Sequence, residues 1–333
     1  MTYRLSLLDK SPIRAGEDAA EALKQTVRLA RRAEELGYHR FWVAEHHNST
    51  ELASAAPEVL VSWILANTSR IRVGSGGVML QHYSPYKVAE VFNVLASLAP
   101  GRVDLGVGKT PGGLPLATSA LQAAYDPDRK PGFEERLAAL ETFLSGPAPA
   151  NSPFAGLSAT PRPPAGTEKF LLGASPASAR LAAGHGWDYV HAGHLNGDTE
   201  NLKASLETYR KESGRAPILA LSAFASENAG HANAQVTELK IYKVFLSNGT
   251  SFSLGRREQA EEFARQAGDD NYRIEERRPN VLAGTAETIH AELSALSLAH
   301  GIEEFIIEPP PVAAEERLAA VELLARTPIP AAA

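Results

Sequence analysis

The chain has 333 residues, of which 44% are hydrophobic and 22% charged, and it contains no cysteine. The missing cysteines exclude disulfides, cysteine-ligated zinc or iron–sulfur centres and thiolate nucleophiles. The formal net charge of −6, without a dense run of Lys or Arg, argues against a nucleic-acid partner. No apolar run reaches the roughly 18 residues of a membrane span and no secretory signal is evident, so we expect a cytoplasmic protein.

Short apolar runs alternate with amphipathic stretches along the chain. Strands are predicted at residues 3–8, 40–44, 71–80, 103–107, 170–173, 189–192, 218–225 and 304–308. Helical spacing of apolar residues predicts helices at 17–36, 57–68, 86–98, 133–144, 177–183, 199–211, 232–245, 286–300 and 314–325. Eight alternating units in this length favour a (β/α)8 TIM barrel over an open, doubly wound parallel sheet.

Two segments interrupt the alternation. Residues 145–169 are rich in Pro and Gly, and residues 246–279 are polar and charged, with a short helix predicted at 259–267. We interpret both as insertions within a single domain over residues 1–333, because the strand–helix rhythm continues after each. The second insertion is either a lid over the site or a surface embellishment without a role.

The second predicted strand ends in a pair of histidines. Catalytic groups of such barrels lie at the carboxyl ends of the strands. Because neighbours on a strand point to opposite faces, His46 shares a face with Trp42 and Ala44, whereas His47 shares the other face with Glu45. Adjacent histidines in this arrangement cannot bind one metal ion, so no metal site is predicted. His46 is a candidate proton or hydrogen-bond donor, and a structural histidine at the barrel mouth is the alternative.

Glycines mark the third strand and the end of the fourth. Gly76-Gly77 indicates either close approach of a flat aromatic ligand or a bulge in the barrel wall. The Gly-Lys-Thr run around Lys109 is not a nucleotide phosphate loop, since Val103 occupies a position that must be glycine. Lys109 at a strand end instead suits a single phosphate.

The fifth strand leads into a helix with the features of an anion site. Ser175 is predicted as the N-cap, Pro176 as the first helical residue, and Ser178 lies three residues after the cap. Free backbone N–H groups and hydroxyls at a helix start bind anions, although ordinary capping needs no ligand. Candidates to line a substrate pocket are Trp42, Tyr83, His191 and His194.

Several motifs, in their order and spacing, resemble the bacterial luciferase-like flavin monooxygenase family over nearly the whole chain. They are WVAEHH at 42–47, RIRVGSGGVML at 70–80, PGRVDLGVG at 100–108, the segment 172–183, and VLAGT at 281–285. The resemblance implies a TIM barrel, usually dimeric, that binds reduced FMN or, in one branch, a deazaflavin. It also implies a monooxygenase that oxygenates a small organic substrate with dioxygen, using reduced flavin from a separate reductase. A deazaflavin-dependent hydride-transfer oxidoreductase and a non-catalytic flavin-binding protein are the alternatives.

The resemblance also assigns roles to individual residues. His46 matches the catalytic histidine, and Gly76-Gly77 matches a non-proline cis peptide that packs against the flavin ring. The remaining matches belong to the flavin phosphate site and are Lys109, Ala174, Ser175 and Ser178.

Two positions depart from the family pattern. Lys109 stands where many relatives carry arginine, so the charge is kept and the bidentate fork is lost. Gly108 stands where true luciferases carry a cysteine beside the flavin, so light emission is not expected.

Overall fold

The computed structural model describes residues 3–126, 130–193 and 198–329. Its strands are Arg4–Asp9 (β1), Arg40–Val43 (β2), Arg72–Met79 (β3), Val103–Gly108 (β4), Glu168–Gly173 (β5), Asp188–Ala192 (β6), Ile218–Ala225 (β7), Ile241–Phe245 (β8), Ser251–Leu254 (β9), Arg273–Arg277 (β10), Val281–Gly284 (β11) and Glu304–Glu308 (β12). Its helices are Ala19–Leu36 (α1), Pro57–Ala66 (α2), Pro85–Leu98 (α3), Pro115–Leu121 (α4), Phe133–Ser145 (α5), Pro176–Gly184 (α6), Thr199–Ser213 (α7), Ala229–Thr237 (α8), Arg257–Ala267 (α9), Ala286–His300 (α10) and Ala314–Arg326 (α11).

The predicted barrel is confirmed. Strands β1 to β7 and β12 pair in parallel in the order β1-β2-β3-β4-β5-β6-β7-β12, and β12 pairs again with β1 to close the ring. The short strand β11 extends the wall beside β7. No helix in the described ranges is both long and apolar enough to cross a lipid bilayer.

The barrel strands are apolar on both faces because both faces are covered. Inward-facing side chains, among them Leu8, Trp42, Phe170 and Ile306, fill the interior of the barrel. The outward-facing side chains form one larger cluster with the surrounding helices. A barrel filled in this way has its free space at the strand ends, which is where a ligand can bind.

A buried ionic network closes the amino-terminal end of the barrel. Arg40, only 2% exposed, places Nη1 2.8 Å from Oδ2 of Asp104 and Nε 2.6 Å from Oε1 of Glu304. Ser6 donates to the same Glu304 oxygen at 2.6 Å, and Arg72 pairs with the other oxygen of Asp104 at 2.6 Å. Each buried charge therefore has an opposite charge and a hydrogen bond, as burial requires.

The helix predicted over 232–245 is wrong in its second half. Helix α8 ends at Thr237, and residues 241–245 form β8. Strand β8 pairs antiparallel with β9 and β10, and α9 packs on this small sheet through Phe263. The second insertion is thus a folded subdomain, and the short helix predicted within it is confirmed as α9. The first insertion contains no helix or strand over 146–167.

The ionic network predicts that Arg40→Met destabilises the protein strongly. Removing the guanidinium leaves two buried carboxylates without their main counter-charge, which costs about 3–5 kcal/mol of unfolding free energy. Urea unfolding followed by circular dichroism measures the loss. The control Arg265→Met breaks an exposed pair with Glu262 on α9 and should leave the free energy of unfolding nearly unchanged. Equal stabilities of the two variants would contradict the role of the network.

Candidate active site

The mouth of the barrel is formed by the residues that follow each strand. Trp42 and Ala44 belong to the interior cluster, so His46 continues on the interior side as the strand alternation predicts. The His46 backbone N–H donates to the Ser54 carbonyl at 2.9 Å, which ties this exit to the loop before α2. His46 is half-buried, with Nδ1 on its buried side.

The wall at β3 lacks side chains at Gly76-Gly77, because neighbouring groups occupy the space. The Gly76-Gly77 peptide bond is cis, as the resemblance implies. A Cβ on Gly76 would come within 2.8 Å of Leu8 Cδ1 and 3.0 Å of the Trp42 ring. A Cβ on Gly77 would lie 2.8 Å from the Gly106 backbone. Packing within the barrel is therefore a sufficient reason for both glycines, and it leaves a flat backbone surface at the mouth.

The next two strand ends bring the predicted anion-binding residues together. Gly108 at the end of β4 pairs in register with Leu172 of β5, so Lys109 follows directly beside the β5–α6 turn. Ser175 caps α6 as predicted, because its Oγ accepts from the Ser178 N–H at 3.2 Å. Lys109 is exposed and forms no ion pair with any carboxylate of the described residues.

Two side chains brace the β5–α6 turn from behind. Asn201 Nδ2 donates to the Ala174 carbonyl at 2.7 Å, and the Tyr189 hydroxyl lies 3.2 Å from the Gly173 carbonyl oxygen. Burial raises the pKa of Tyr189, so this hydroxyl stays protonated and can donate. The N–H groups at the start of α6 are thus held in place before any ligand arrives.

A buried carboxylate links the exits of β2 and β3 on the outer side of the barrel. Glu45 is fully buried and accepts from the Tyr83 hydroxyl at 2.8 Å and from the Met79 N–H at 3.0 Å. Nε2 of His47 lies 2.7 Å from the same carboxylate, which confirms that Glu45 and His47 share a face. Glu45 is not among the site residues predicted from the sequence. The available signal was a carboxylate on the helix-facing side of a strand, where apolar residues are expected. Such a buried carboxylate must be paired, so it indicates a polar cluster at that position.

The same cluster perturbs the groups around it. Burial, with the Glu45 carboxylate adding to it, raises the pKa of Tyr83. Burial and repulsion by Glu45 likewise raise the pKa of Glu58 on α2. Burial lowers the pKa of His82, whose Nε2 lies 2.8 Å from the Pro111 carbonyl oxygen. Burial and Glu45 together keep Tyr83 protonated, whereas burial favours neutral His82 against Glu45, which acts to raise the pKa of that histidine.

The second insertion crosses the mouth. It follows β7, yet Arg256 Nε lies 2.7 Å from Oε1 of Glu51 in the loop after β2. Gln266 Oε1 accepts from the Leu116 N–H at 2.9 Å, in the segment after β4. Both β2 and β4 are three positions from β7 around the ring, on either side of β3, which stands opposite. The insertion therefore spans the barrel from β7 toward the side of β3.

The predicted pocket residues are not brought to one cavity. Trp42 is fully buried in the packed interior below the mouth, where Nε1 donates to Asp104 at 2.9 Å. Tyr83 turns its hydroxyl to Glu45 on the outer side. His191 is 1% exposed on the outer side of β6, with Nδ1 3.2 Å from the Tyr189 hydroxyl. His194 lies outside the described residues.

The residues at the mouth fit a flavin. The glycine wall offers a flat seat, and a Cβ on Gly108 would meet only Met79, with Sδ at 3.5 Å, so the space beside it is open. A Cβ on Gly173 would overlap Ser178, so glycine there lets the Ser178 side chain reach the turn. The flat seat and the anion site lie on consecutive strands, as a ring and its phosphate chain require. No group of three or more His, Asp or Glu side chains suited to a metal ion occurs among residues 3–126, 130–193 and 198–329.

The closed parallel (β/α)8 barrel is the fold of the luciferase-like monooxygenases. The model of the luciferase-like monooxygenase family matches residues 3–310, and the chain belongs to that family. An N-acetyl-S-alkylcysteine monooxygenase of Bacillus subtilis is 43% identical over 96% of this chain and 97% of its own length.

Solved structures agree on the architecture. The crystal structure of apo-MsnO8 superposes with a TM-score of 0.75 at 30% identity and covers 97% of both chains. An F420-dependent secondary alcohol dehydrogenase superposes with a TM-score of 0.68 at 15% identity, over 97% of this chain and 98% of that one. The second likeness concerns the fold alone.

The Glu45 cluster predicts that Glu45→Gln loosens the mouth. The amide still accepts one hydrogen bond, but it brings a donor into a buried site built to donate to a carboxylate, which should cost about 1–3 kcal/mol. Thermal unfolding measures the loss. The control Glu90→Gln removes the partner of exposed Lys87 and should cost under about 0.5 kcal/mol. If the Glu45 variant were as stable as its control, the Glu45 carboxylate would not stabilise the mouth.

Proposed function

We propose that this protein is a flavin-dependent monooxygenase that uses reduced FMN and dioxygen to oxygenate a small organic substrate. The observation that carries the proposal is the Gly76-Gly77 stretch of β3, which has no side chains, beside the candidate anion site on β4 and β5, in a chain 43% identical to a monooxygenase. Reduced flavin, when bound, supplies the activation of dioxygen.

The residues of this chain would bind and orient the cofactor. The Lys109 ammonium, the hydroxyls of Ser175 and Ser178 and the N–H groups at the start of α6, from Ala174 onward, would hold the phosphate. The backbone of Gly76-Gly77 would seat the ring. The His46 imidazole, on the interior side of the mouth, would donate a proton during the reaction.

The second insertion is proposed to exclude water from the mouth. Its contacts with Glu51 and with the Leu116 N–H support this role, because they hold it across the opening. A water-excluded site favours oxygenation over side reactions. The lid interpretation is therefore preferred to a surface embellishment.

The substrate class is proposed from the monooxygenase that is 43% identical. Substrates of the N-acetyl-S-alkylcysteine type combine a thioether with an amide N–H and a carboxylate. In the proposed reaction the O–O bond of dioxygen breaks, one oxygen atom is transferred to the thioether sulfur to give a sulfoxide, and the other leaves as water, with the two electrons supplied by reduced flavin. A separate reductase would supply the reduced flavin, as the family resemblance implies.

A homodimer is proposed through α2 and α3. Their outer faces leave four large apolar side chains exposed at one-turn spacing, Val59 and Trp63 on α2 and Val94 and Leu98 on α3. Exposed fractions of 43–72% on adjacent helices make a patch that a symmetric second copy can cover.

A cofactor titration tests the proposed function against the deazaflavin alternative, which the fold shared with an F420-dependent enzyme keeps open. Fluorescence titration should show that reduced FMN binds with a Kd below about 1 μM and that reduced F420 binds more weakly. If only reduced F420 bound tightly, the proposed monooxygenase function would be wrong, and a hydride-transfer oxidoreductase would take its place. Binding of FMN without turnover of any thioether would leave a flavin-binding protein.

Lys109→Ala should weaken the binding of FMN far more than the binding of riboflavin. A charge-assisted contact to phosphate accounts for about a tenfold to hundredfold difference in Kd, and riboflavin lacks the phosphate. Fluorescence titration of both flavins measures the ratio. Lys87→Ala on α3, an exposed lysine paired with Glu90, is the control. Equal losses for the two flavins would remove Lys109 from the phosphate site.

His46→Ala should preserve FMN affinity and slow oxygenation. Loss of a positioned proton donor costs about 100-fold or more in rate. Rapid mixing of the reduced complex with dioxygen and thioether measures the rate, and the exposed His231 of α8 provides the control variant His231→Ala. A His46 variant with an unchanged rate would make the residue structural.

Trp63→Asp should convert the dimer to a monomer. A charge at the centre of an apolar interface has no partner and must be desolvated on association. Sedimentation velocity measures the mass, with Leu298→Asp on α10 as a control at a similarly exposed leucine. A Trp63 variant with the same mass as the control would exclude this face as the interface.

A further inference from the structure

An ion pair stands at the mouth on the wall opposite the anion site. Lys10 Nζ lies 2.6 Å from Glu308 Oε1, and the two side chains are 27% and 13% exposed. Lys10 follows β1 and Glu308 ends β12, which are neighbours in the ring. Strands β4 and β5, which carry the anion site, are on the opposite side of the barrel.

Strand alternation turns both side chains inward. Leu8 and Ile306, two residues before Lys10 and Glu308, belong to the interior cluster. Asp9 points the other way and pairs with Arg317 outside the barrel. The pair therefore lies one layer above the packed interior, where side chains face the mouth and not other strands.

The backbone on each side of the pair is fixed. The Ser54 hydroxyl donates to the Lys10 carbonyl at 3.0 Å, and the Ser222 hydroxyl donates to the Glu308 carbonyl at 2.9 Å. An ammonium has three N–H donors, so its contact with Glu308 leaves donors for a ligand. Anchoring by Glu308 removes part of the entropy that a free lysine would lose on binding.

We propose that Lys10 and Glu308 form the substrate-recognition pair of this site and select an organic acid whose carboxylate is adjacent to an amide N–H. The Lys10 ammonium donates to the substrate carboxylate, and the Glu308 carboxylate accepts from the amide N–H. An N-acylated amino acid carries both groups on its α-carbon, close enough together to contact the paired head groups of Lys10 and Glu308 at the same time. This inference rests on the proposed function and names the feature of the substrate that the mouth recognises.

The location of the pair explains why it serves recognition and not folding. The barrel already has a fully buried ionic network at its other end, around Arg40 and Glu304. The Lys10–Glu308 pair is partly exposed, and such pairs contribute little to stability. With a flavin ring and the insertion excluding water, the same charges would act more strongly on a ligand.

Binding and turnover of two probes test the inference. Isothermal titration calorimetry with N-acetyl-S-benzylcysteine and its methyl ester should show the acid binding about 10- to 100-fold tighter than the ester. Lys10→Met should abolish that difference by weakening binding of the acid alone, with the affinity for the ester changed less than about twofold. Glu308→Gln should weaken binding of N-acetyl-S-benzylcysteine. It should not weaken binding of the analogue that is methylated on the acetamide nitrogen, because that analogue has no N–H to donate.

Lys169→Met is the matched control. Lys169 Nζ lies 2.8 Å from Glu141 at 28% exposure, on the outer side of β5, and its loss should leave both affinities unchanged. Equal binding of acid and ester by the unmodified protein, or equal losses of both in Lys10→Met, would overturn the inference. Selective binding of the acid without formation of an oxygenated product would overturn the proposed function and retain the recognition pair.

Discussion

The close approach of β3 and β4 determines the shape of the mouth. A Cβ on Gly74 would overlap the Asp104 backbone, and a Cβ on Gly106 would overlap the Ser75 carbonyl oxygen. The Ser75 hydroxyl donates to the Gly106 carbonyl at 2.8 Å, which joins the strands where side chains are missing. The flat wall that we propose as the flavin seat is thus a product of strand packing. Strand packing alone therefore requires these glycines, without any contribution from a ligand.

Charged side chains lie at both ends of the barrel and are paired differently at each end. The amino-terminal end of the barrel holds a fully paired network around Arg40, which serves folding. At the mouth, Lys109 lies on one side without a carboxylate partner among the described residues, and the Lys10–Glu308 pair lies on the other. Two lysines at one opening of an acidic chain suit ligands that carry negative charge.

The barrel was predictable because its signals are local. Each barrel strand is a short apolar run between amphipathic helices, and the N-cap at Ser175 follows from three residues. Strand β8 was missed because the helical pattern of α8 was extended into residues 241–245, although their sequence IYKVF is rich in the β-branched and aromatic residues that favour strands; they pair with β9 and β10. The roles of Trp42, Tyr83 and Glu45 depend on contacts across strands. Alternation gives the face of a side chain, but its height in the barrel and its partner come from the register.

Oxygen incorporation tests the central claim most directly. The protein would be supplied with reduced FMN, isotopically labelled dioxygen and N-acetyl-S-benzylcysteine, and the product would be analysed by mass spectrometry. A monooxygenase predicts a sulfoxide that contains one labelled oxygen atom per molecule, formed only when protein, reduced flavin and dioxygen are all present. A product without label, or label that appears equally without the protein, would contradict the account.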